Sequence, residues 1–407
     1  QPRNGGVMKT VILAAGEGVR LRPLTETRPK VMLPLANKPI LEHILTESAQ
    51  AGLKDFIFIV GYQAQTIEDY FRDGRGWRVH IEYISQRKQL GTAHALRTLT
   101  ELGNERFVVI NGDSPVKSAD IKRVATSEYT TMGIIEHPNP KHLGVVEIEG
   151  DRVVRIHEKK EKPPSNLANA GLYLFTPDIF PALFRTEKSP RGEYELTDSL
   201  QLLIDEGKIV KSVTIGYWQD LSYPWDLLVA NSSIMEGIKP QNQGIVEEGA
   251  IIKGPVSIGK NSIVKTGAYI VGPVIIGDNC DVGPNCFIRP STAIGDNCHI
   301  GHAVEVKNSI IMQGSKIPHL NYVGDSVIGQ DCNLGAGTLI ANLRLDKGPV
   351  QVLGRDTQRV KFGAIIGDGV QTGINASINV GSLVGSGTFI GPGATVSGVI
   401  DKNSKIF

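Results

Sequence analysis

The sequence predicts two domains of different class: an α/β domain of mostly parallel strands, then a left-handed parallel β-helix of hexapeptide repeats. Three observations predict this. Ten consecutive positions six residues apart carry only isoleucine or valine: Ile252, Ile258, Val264, Ile270, Ile276, Val282, Ile288, Ile294, Ile300 and Val306. A helix repeats at 3.6 and an ordinary strand at 2, whereas a period of six gives one hexapeptide to each flat wall of a three-sided coil. Before residue 240, strand-like and helix-like segments alternate, the pattern of a parallel sheet covered on both faces. From 240 onward lie 27 of the 46 glycines, while Trp77, Trp218 and Trp225 all precede it. That shift places the domains at 8–238 and 244–407.

The N-terminal elements follow in order. Residues 9–15 read as a buried strand, 39–51 as a helix, 56–60 as an apolar strand, 64–71 and 92–100 as helices. A strand at 107–110 runs into Asn111-Gly112-Asp113. Ligands on such sheets bind beyond the carboxyl ends of the strands, so the loops after Ala15, Val60 and Ile110 are expected to line one cleft. A helical 224–238 precedes Lys239-Pro240.

In the second domain the phase of six resumes at Ile328, Leu334 and Ile340, and again at Ile366, Ile378, Val384, Ile390 and Val396, with Thr372 in the missing slot. The spacing from 306 to 328 predicts a short inserted loop near 308–325, carrying His319. The spacing from 340 to 366 predicts a second insertion within 342–362. Cys280, Cys286, Cys298 and Cys332 each follow a wall position by four residues. Alanine, serine, threonine or valine fill that slot elsewhere, so the cysteines read as small inward core residues rather than metal ligands or disulfides.

Bulk properties narrow the function. A chain of 407 residues exceeds one core. With 43 Lys+Arg against 42 Asp+Glu the net charge is +1, which argues against a nucleic-acid partner. No apolar run of 18 residues exists, so no membrane span is expected. No charged-then-apolar leader stands before the first strand, and Met8 reads as the natural start after a frayed arm; a cytoplasmic protein is expected.

Leu13-Ala14-Ala15-Gly16-Glu17-Gly18-Val19-Arg20 follows the first strand. Leu21 stands where a dinucleotide Gly-x-Gly-x-x-Gly needs its last glycine, so that reading fails. Small residues still let backbone N–H groups approach phosphate, and Arg20 adds a charge. Lys30, behind Pro29, reads as a second phosphate clamp. Asp113 and Asp220 sit at loop positions and can share one Mg²⁺ bridging triphosphate oxygens, although each alone also reads as a turn residue. In the repeats, Arg289 and Lys307 replace the glycine that often follows a wall residue. One coil apart, they should stack about 5 Å from each other. Cations that close repel unless an anion lies before them, so the pair reads as a phosphate site or, more plainly, as a solvated corner. A neutral imidazole at His319 can take a proton from an attacking amine.

Leu13–Arg20, Arg28-Pro29-Lys30-Val31-Met32-Leu33-Pro34, Gln86 with Gly91-Thr92-Ala93, Gly112-Asp113 and Gly192-Glu193-Tyr194-Glu195-Leu196-Thr197-Asp198 together resemble the sugar-1-phosphate nucleotidylyltransferases, over roughly 8–237. The resemblance implies a Rossmann-like nucleotidyltransferase domain that joins a nucleoside triphosphate to a sugar 1-phosphate. By it, Leu13, Ala14, Ala15, Gly16, Gln86, Gly91 and Thr92 hold the nucleotide. Arg20 and Lys30 neutralise phosphates, Asp113 and Asp220 bind Mg²⁺, and Gly144, Glu158, Lys159 and Asn169 contact the sugar phosphate.

Glu305-Val306-Lys307-Asn308, His319 through Asp325, and Asn333-Leu334-Gly335-Ala336-Gly337-Thr338 with Asn342 resemble the acetyltransferase half of the bifunctional N-acetylglucosamine-1-phosphate uridylyltransferases, and Arg359-Val360-Lys361-Phe362-Gly363-Ala364 resembles the archaeal type. This implies acetyl transfer from acetyl-CoA to glucosamine 1-phosphate or a similar amino-sugar phosphate, then uridylyl transfer from UTP. His319 would be the general base. Arg289, Lys307, Tyr322 and Asn333 would hold the amino-sugar phosphate, and Ala336, Asn342 and Lys361 or Lys347 would border acetyl-CoA, in a homotrimer. Two other readings stand beside this one: a single-activity nucleotidylyltransferase with a structural β-helix, and a non-enzymatic regulatory subunit. The base, UTP or dTTP, is left open.

Overall fold

The computed structural model describes residues 8–102, 104–158 and 160–407, so Lys159 and the arm 1–7 lie outside the described residues. By packing, the chain forms two compact units. One contains the described residues up to Glu17 with Ile40–Asp220; the other contains Gly18–Pro39 with Leu221–Phe407.

The first unit is built on a nine-stranded sheet: β1 (Lys9–Ala14), β2 (Asp55–Val60), β3 (His80–Ser85), β4 (Phe107–Asn111), β5 (Thr130–Glu136), β6 (Gly144–Glu149), β7 (Arg152–Glu158), β8 (Leu167–Phe175) and β9 (Val210–Thr214). The order is β3-β2-β1-β4-β8-β5-β9-β7-β6. Phe56 through Val60 are buried without alternation, as befits a strand covered on both faces. The strands β3, β2, β1 and β4 are parallel. Beyond them β8 pairs antiparallel to β4 and β5, and β6 to β7. The expected mostly parallel sheet is therefore mixed. After Thr130 the chain connects β6 and β7 by a tight turn at Gly150 rather than by a helical crossover, and a tight turn can only produce antiparallel neighbours.

The second unit holds a left-handed parallel β-helix of three walls. Wall 1 runs from Gln241–Asn242 to Val399–Ile400, wall 2 from Ile245–Val246 to Lys405–Ile406, and wall 3 from Ile251–Lys253 to Thr395–Val396. Each strand pairs in parallel with the strand three later, so Ile258, Ile276 and Ile294 stack in one column. These columns form the core: from Ile258 onward the repeated isoleucines and valines are buried. Ile252, in the first coil, is 37% exposed because no coil lies beneath it. Thr372 fills its core slot by hydrogen bonding: its hydroxyl accepts from Gly335 N at 2.9 Å and pairs with Thr338 Oγ1 at 2.6 Å.

The loop expected near 308–325 is absent. Ile300 pairs with Ile317, Val306 with Val323 and Ile311 with Ile328, all 17 residues apart instead of 18. Two corners, at Asn308 and Asp325, each turn with one residue fewer, using left-handed backbone (φ 44° and 50°). Two shortened corners, not one added loop, produce the irregular spacing. His319 accordingly ends a regular wall-2 strand, Lys316–His319. The second expected insertion is real. A hairpin of Gln351–Val352 with Arg355–Asp356 projects between coils, Leu343 and Lys361 close its base, and stacking resumes as Ile328 pairs with Ile366.

All four cysteines are free and buried in the β-helix core. The segment Gly18–Pro39 and the helix Asp226–Met235 complete this unit. Asn37 Nδ2 donates to Ile294 O (2.5 Å), and Asn231 bridges Ala36 N (2.8 Å) and Ser291 O (3.2 Å). Among the described residues, no helix is long and apolar enough to cross a membrane.

Candidate functional sites

In the first unit the carboxyl ends of β1, β2, β3 and β4 meet. Tyr62 N donates to Ala15 O (3.1 Å), Gln86 N to Val60 O (2.7 Å) and Gly112 N to Leu13 O (2.9 Å). Leu13, Ala14, Ala15 and Gln86 are thereby fixed at one edge, with Gly16 next in the chain. Gln86 is buried; its amide donates to Gly91 O at 3.2 Å and meets His94 Nδ1 at 3.0 Å. Burial and the Arg97 guanidinium lower the His94 pKa, which keeps that imidazole neutral and able to accept. Gly91 has φ 106°, and a Cβ there would sit 2.5 Å from Tyr194 O, so only glycine fits. Thr92 Oγ1 accepts from Leu196 N (3.0 Å), joining the Gln86–Thr92 loop to the Gly192–Asp198 motif.

On the far side of the same sheet edge, Gly144 and Glu158 are direct partners across β6 and β7. Glu158 accepts from Thr197 Oγ1 at 2.9 Å and lies 3.6 Å from Arg191 Nη2. Asn169 sits in a bulge of β8, donates to Tyr173 OH (2.7 Å) and accepts from Gly171 N (3.0 Å). Burial pushes the Tyr173 phenol well above its usual range. Since Leu172 pairs with Ile110, the bulge lies toward the end of β4 that leads to Asp113. A bridge between Val116 and Trp218 brings the loop after Asp113 alongside the segment ending at Asp220. Tyr217 OH and Trp218 Nε1 are buried there without a hydrogen-bond partner among the described residues. The carboxylates of Asp113 and Asp220, on adjoining loops, are the residues that would hold Mg²⁺, a hard cation that takes carboxylate oxygens.

Arg20 and Lys30 belong by packing to the second unit. Gly18 has φ 78°, and a Cβ there would lie 2.6 Å from Lys30 Cβ; glycine lets the Lys30 stem lie against the turn. The Arg20 guanidinium lies 5.9 Å from the Tyr223 ring centroid.

On the β-helix, Arg289 and Lys307 are consecutive rungs of wall 3, since Ile288 pairs with Val306 and Arg289 N donates to Val306 O (2.8 Å). Each has its own carboxylate: Arg289 bonds Glu305 at 2.9 Å and Lys307 bonds Asp325 at 3.1 Å. Asn342 Nδ2 donates to Asp325 Oδ2 (2.6 Å) and Tyr322 OH (3.1 Å), and Asn308 Nδ2 to Asp325 Oδ1 (2.7 Å). Burial raises the Tyr322 phenol, keeping it a neutral donor. Lys307, Tyr322 and Asn342 are thus joined through Asp325, with the Arg289–Glu305 pair on the neighbouring rung of wall 3, beside a cavity of about 350 Å³ lined by Tyr322, Leu339 and Ile378. Sequence reasoning did not assign Glu305 or Asp325 a role.

His319 lies around the corner, exposed at the end of wall 2, where it pairs with His302; Asn333 stacks on Lys316 of the same wall. Ala336 is on the next coil, since Gly337 N donates to His319 O (3.1 Å). Asn321, 3% exposed, pins the corner: it accepts from His319 N (3.1 Å) and donates to Gly335 O (2.8 Å). Lys361 stands at the base of the inserted hairpin opposite Leu343, adjoining Asn342, whereas Lys347 sits in a turn with Arg344.

Residues 9–237 match the nucleotidyl transferase family, and residues 270–373 match the GMPPB C-terminal domain. The chain belongs to the nucleotidyl transferase family. It is 46% identical over 98% of its length, and 97% of the relative's, to the bifunctional protein GlmU of Methanococcus maripaludis. It is 40% identical, over 96% and 97%, to a bifunctional sugar-1-phosphate nucleotidylyltransferase/acetyltransferase of Sulfurisphaera tokodaii. The fold also resembles a UDP-glucose pyrophosphorylase crystallised with UDP-glucose: TM-score 0.53, 26% identity, 57% of this chain and all of that one. Within the family this chain therefore falls among the bifunctional enzymes that are both nucleotidyltransferase and acetyltransferase.

Proposed function

We propose that this chain makes UDP-N-acetylglucosamine at two sites. The β-helix domain, 244–407, moves the acetyl group of acetyl-CoA to the amine of glucosamine 1-phosphate. The domain at 8–238 then joins the product to UTP, releasing pyrophosphate. The observation that carries this reading is the wall-3 array of Arg289 on one rung and the bonded Lys307, Asp325, Asn342 and Tyr322 on the next, on a chain that bifunctional relatives match over nearly its full length.

At the acetyl site Arg289, Lys307 and Tyr322 hold the sugar phosphate, and Asn333 orients the amino sugar. His319 takes a proton as the amine attacks the thioester carbonyl; the C–N bond forms, the C–S bond breaks, and the thiol of CoA leaves with the proton. Ala336, Asn342 and Lys361 border the CoA. In the nucleotidyl site Gln86 and Gly91 hold the pyrimidine, with the backbone of 13–16 and Thr92 around it. The N-acetylglucosamine phosphate, contacted by Gly144, Glu158, Lys159 and Asn169, attacks the α-phosphorus in line. No base is needed, because the nucleophile is already an anion; Arg20 and Lys30 neutralise the charge that builds. Mg²⁺ held by Asp113 and Asp220 adds further charge neutralisation when bound. The protein acts in the cytoplasm as a homotrimer.

Two assays test this: CoA release with glucosamine 1-phosphate, and pyrophosphate release with UTP and N-acetylglucosamine 1-phosphate. His319→Ala should lower the first about 10²–10⁴-fold and leave the second unchanged. Asp113→Ala should do the reverse. A wild type without amino-sugar-dependent CoA release ends the bifunctional reading.

A further inference from the structure

We infer that Asp368, a residue of the β-helix, positions the phosphate-clamping segment for nucleotidyl transfer. The inference rests on the reading of Arg20 and Lys30 given above.

The coil explains half of what Asp368 does. At one corner of several coils an aspartate oxygen caps the turn of the preceding coil: Asp278 Oδ1 accepts from Lys260 N (2.7 Å), Asp296 Oδ1 from Asp278 N (2.8 Å), and Asp368 Oδ1 from Gln330 N (2.8 Å). At Asp368 the other oxygen has a second task. Oδ2 accepts from Thr27 Oγ1 at 2.6 Å and from the Arg28 guanidinium. Arg28 is only 5% exposed, and its other terminal nitrogen lies 3.4 Å from Met312 Sδ. The next coil adds a contact beside it: Ser386 N donates to Glu26 Oε2 (3.0 Å), and Ser386 Oγ accepts from Asp368 N (3.2 Å). Residues 26–28 are thus fastened to two adjacent coils.

Lys30 follows Arg28 by one proline. Pro29 fixes its own φ, and Lys30–Met32 begins at once as a short 3₁₀ turn, so little slack separates the fastening from the ammonium. A buried, hydrogen-bonded ion pair tolerates few geometries, and removing one partner leaves a buried charge unmatched. A misplacement of about 1 Å in a clamp can cost about 10²-fold in rate. The acetyl-transfer residues have no part in this contact.

The test is Asp368→Asn in the full chain, with both activities measured. The amide keeps the Oδ1 cap and loses the charge facing Arg28. The expected result is a 10- to 100-fold fall in kcat for pyrophosphate release with KM for the sugar phosphate unchanged, while CoA release stays within twofold. Asp278→Asn, which alters the same kind of turn without touching 18–39, should leave both activities intact. Lys30→Met separates the two ideas. If it spares pyrophosphate release, the clamp reading fails. If it abolishes release while Asp368→Asn changes nothing, or lowers both activities together, Asp368 has no positioning role.

Discussion

At the scale of single residues, the clearest consequences concern the cysteines. Burial pushes the thiol of Cys286 up to about 11 and those of Cys298 and Cys332 to about 12. A thiol at such a value is almost wholly protonated at neutral pH and is a poor nucleophile. An aromatic disulfide reagent at pH 8 should therefore label none of the four in the native protein and all four in urea. The same burial sets a pH dependence. Unfolded thiols ionise near 9 while the folded ones keep their protons, so the unfolded state binds fewer protons above that pH. Stability should be fully present below about pH 9 and fall as pH rises toward 12, read as a drop in the urea midpoint.

The elements show how much was legible in advance. The hexapeptide column was plain, because a buried β-helix wall tolerates only a narrow range of inward side chains, and every repeat states that constraint again. The meeting of the loops after Ala15, Val60 and Ile110 at one sheet edge was legible through small residues at strand ends. The false loop at 308–325 shows the limit. A spacing of 22 fits one insertion or two tightened corners equally, and only the strand register, Ile300 with Ile317 and Ile311 with Ile328, tells them apart. Ion-pair partners such as Glu305 were hidden for a related reason: a period identifies what faces inward, not which outward charges meet. Depth in the stack also varies along one repeat. Ile317→Ala should cost about 2–5 kcal/mol by denaturant unfolding, the usual range for a filled core position. Ile252→Ala, at the open end of the stack, should cost well under half as much.

For the whole molecule, the wall-3 surface raises the question of assembly. Phe287 is 37% and Leu339 50% exposed, and Tyr269 packs edge-on against Phe287 along the same wall. Light scattering of the proposed trimer should give three times the 44.0 kDa of one chain. A charge at this surface, Leu339→Asp, should shift the mass toward one chain and lower CoA release. Unchanged mass in that variant, with wild type monomeric, would remove the homotrimer from the scheme.

The one-neighbour stacking of the coils has a mechanical corollary. In the sheets every rung pairs only with the rung above and the rung below, and the segment 18–39 adds cross-links at Ile294, Asp368 and Ser386 that tension between residue 240 and Phe407 has to break. Force should peel the coils outside those cross-links in small, nearly equal increments of contour length and pause where the cross-links hold. The hairpin at 342–362 would appear in an optical-trap record as a single oversized step amid regular ones.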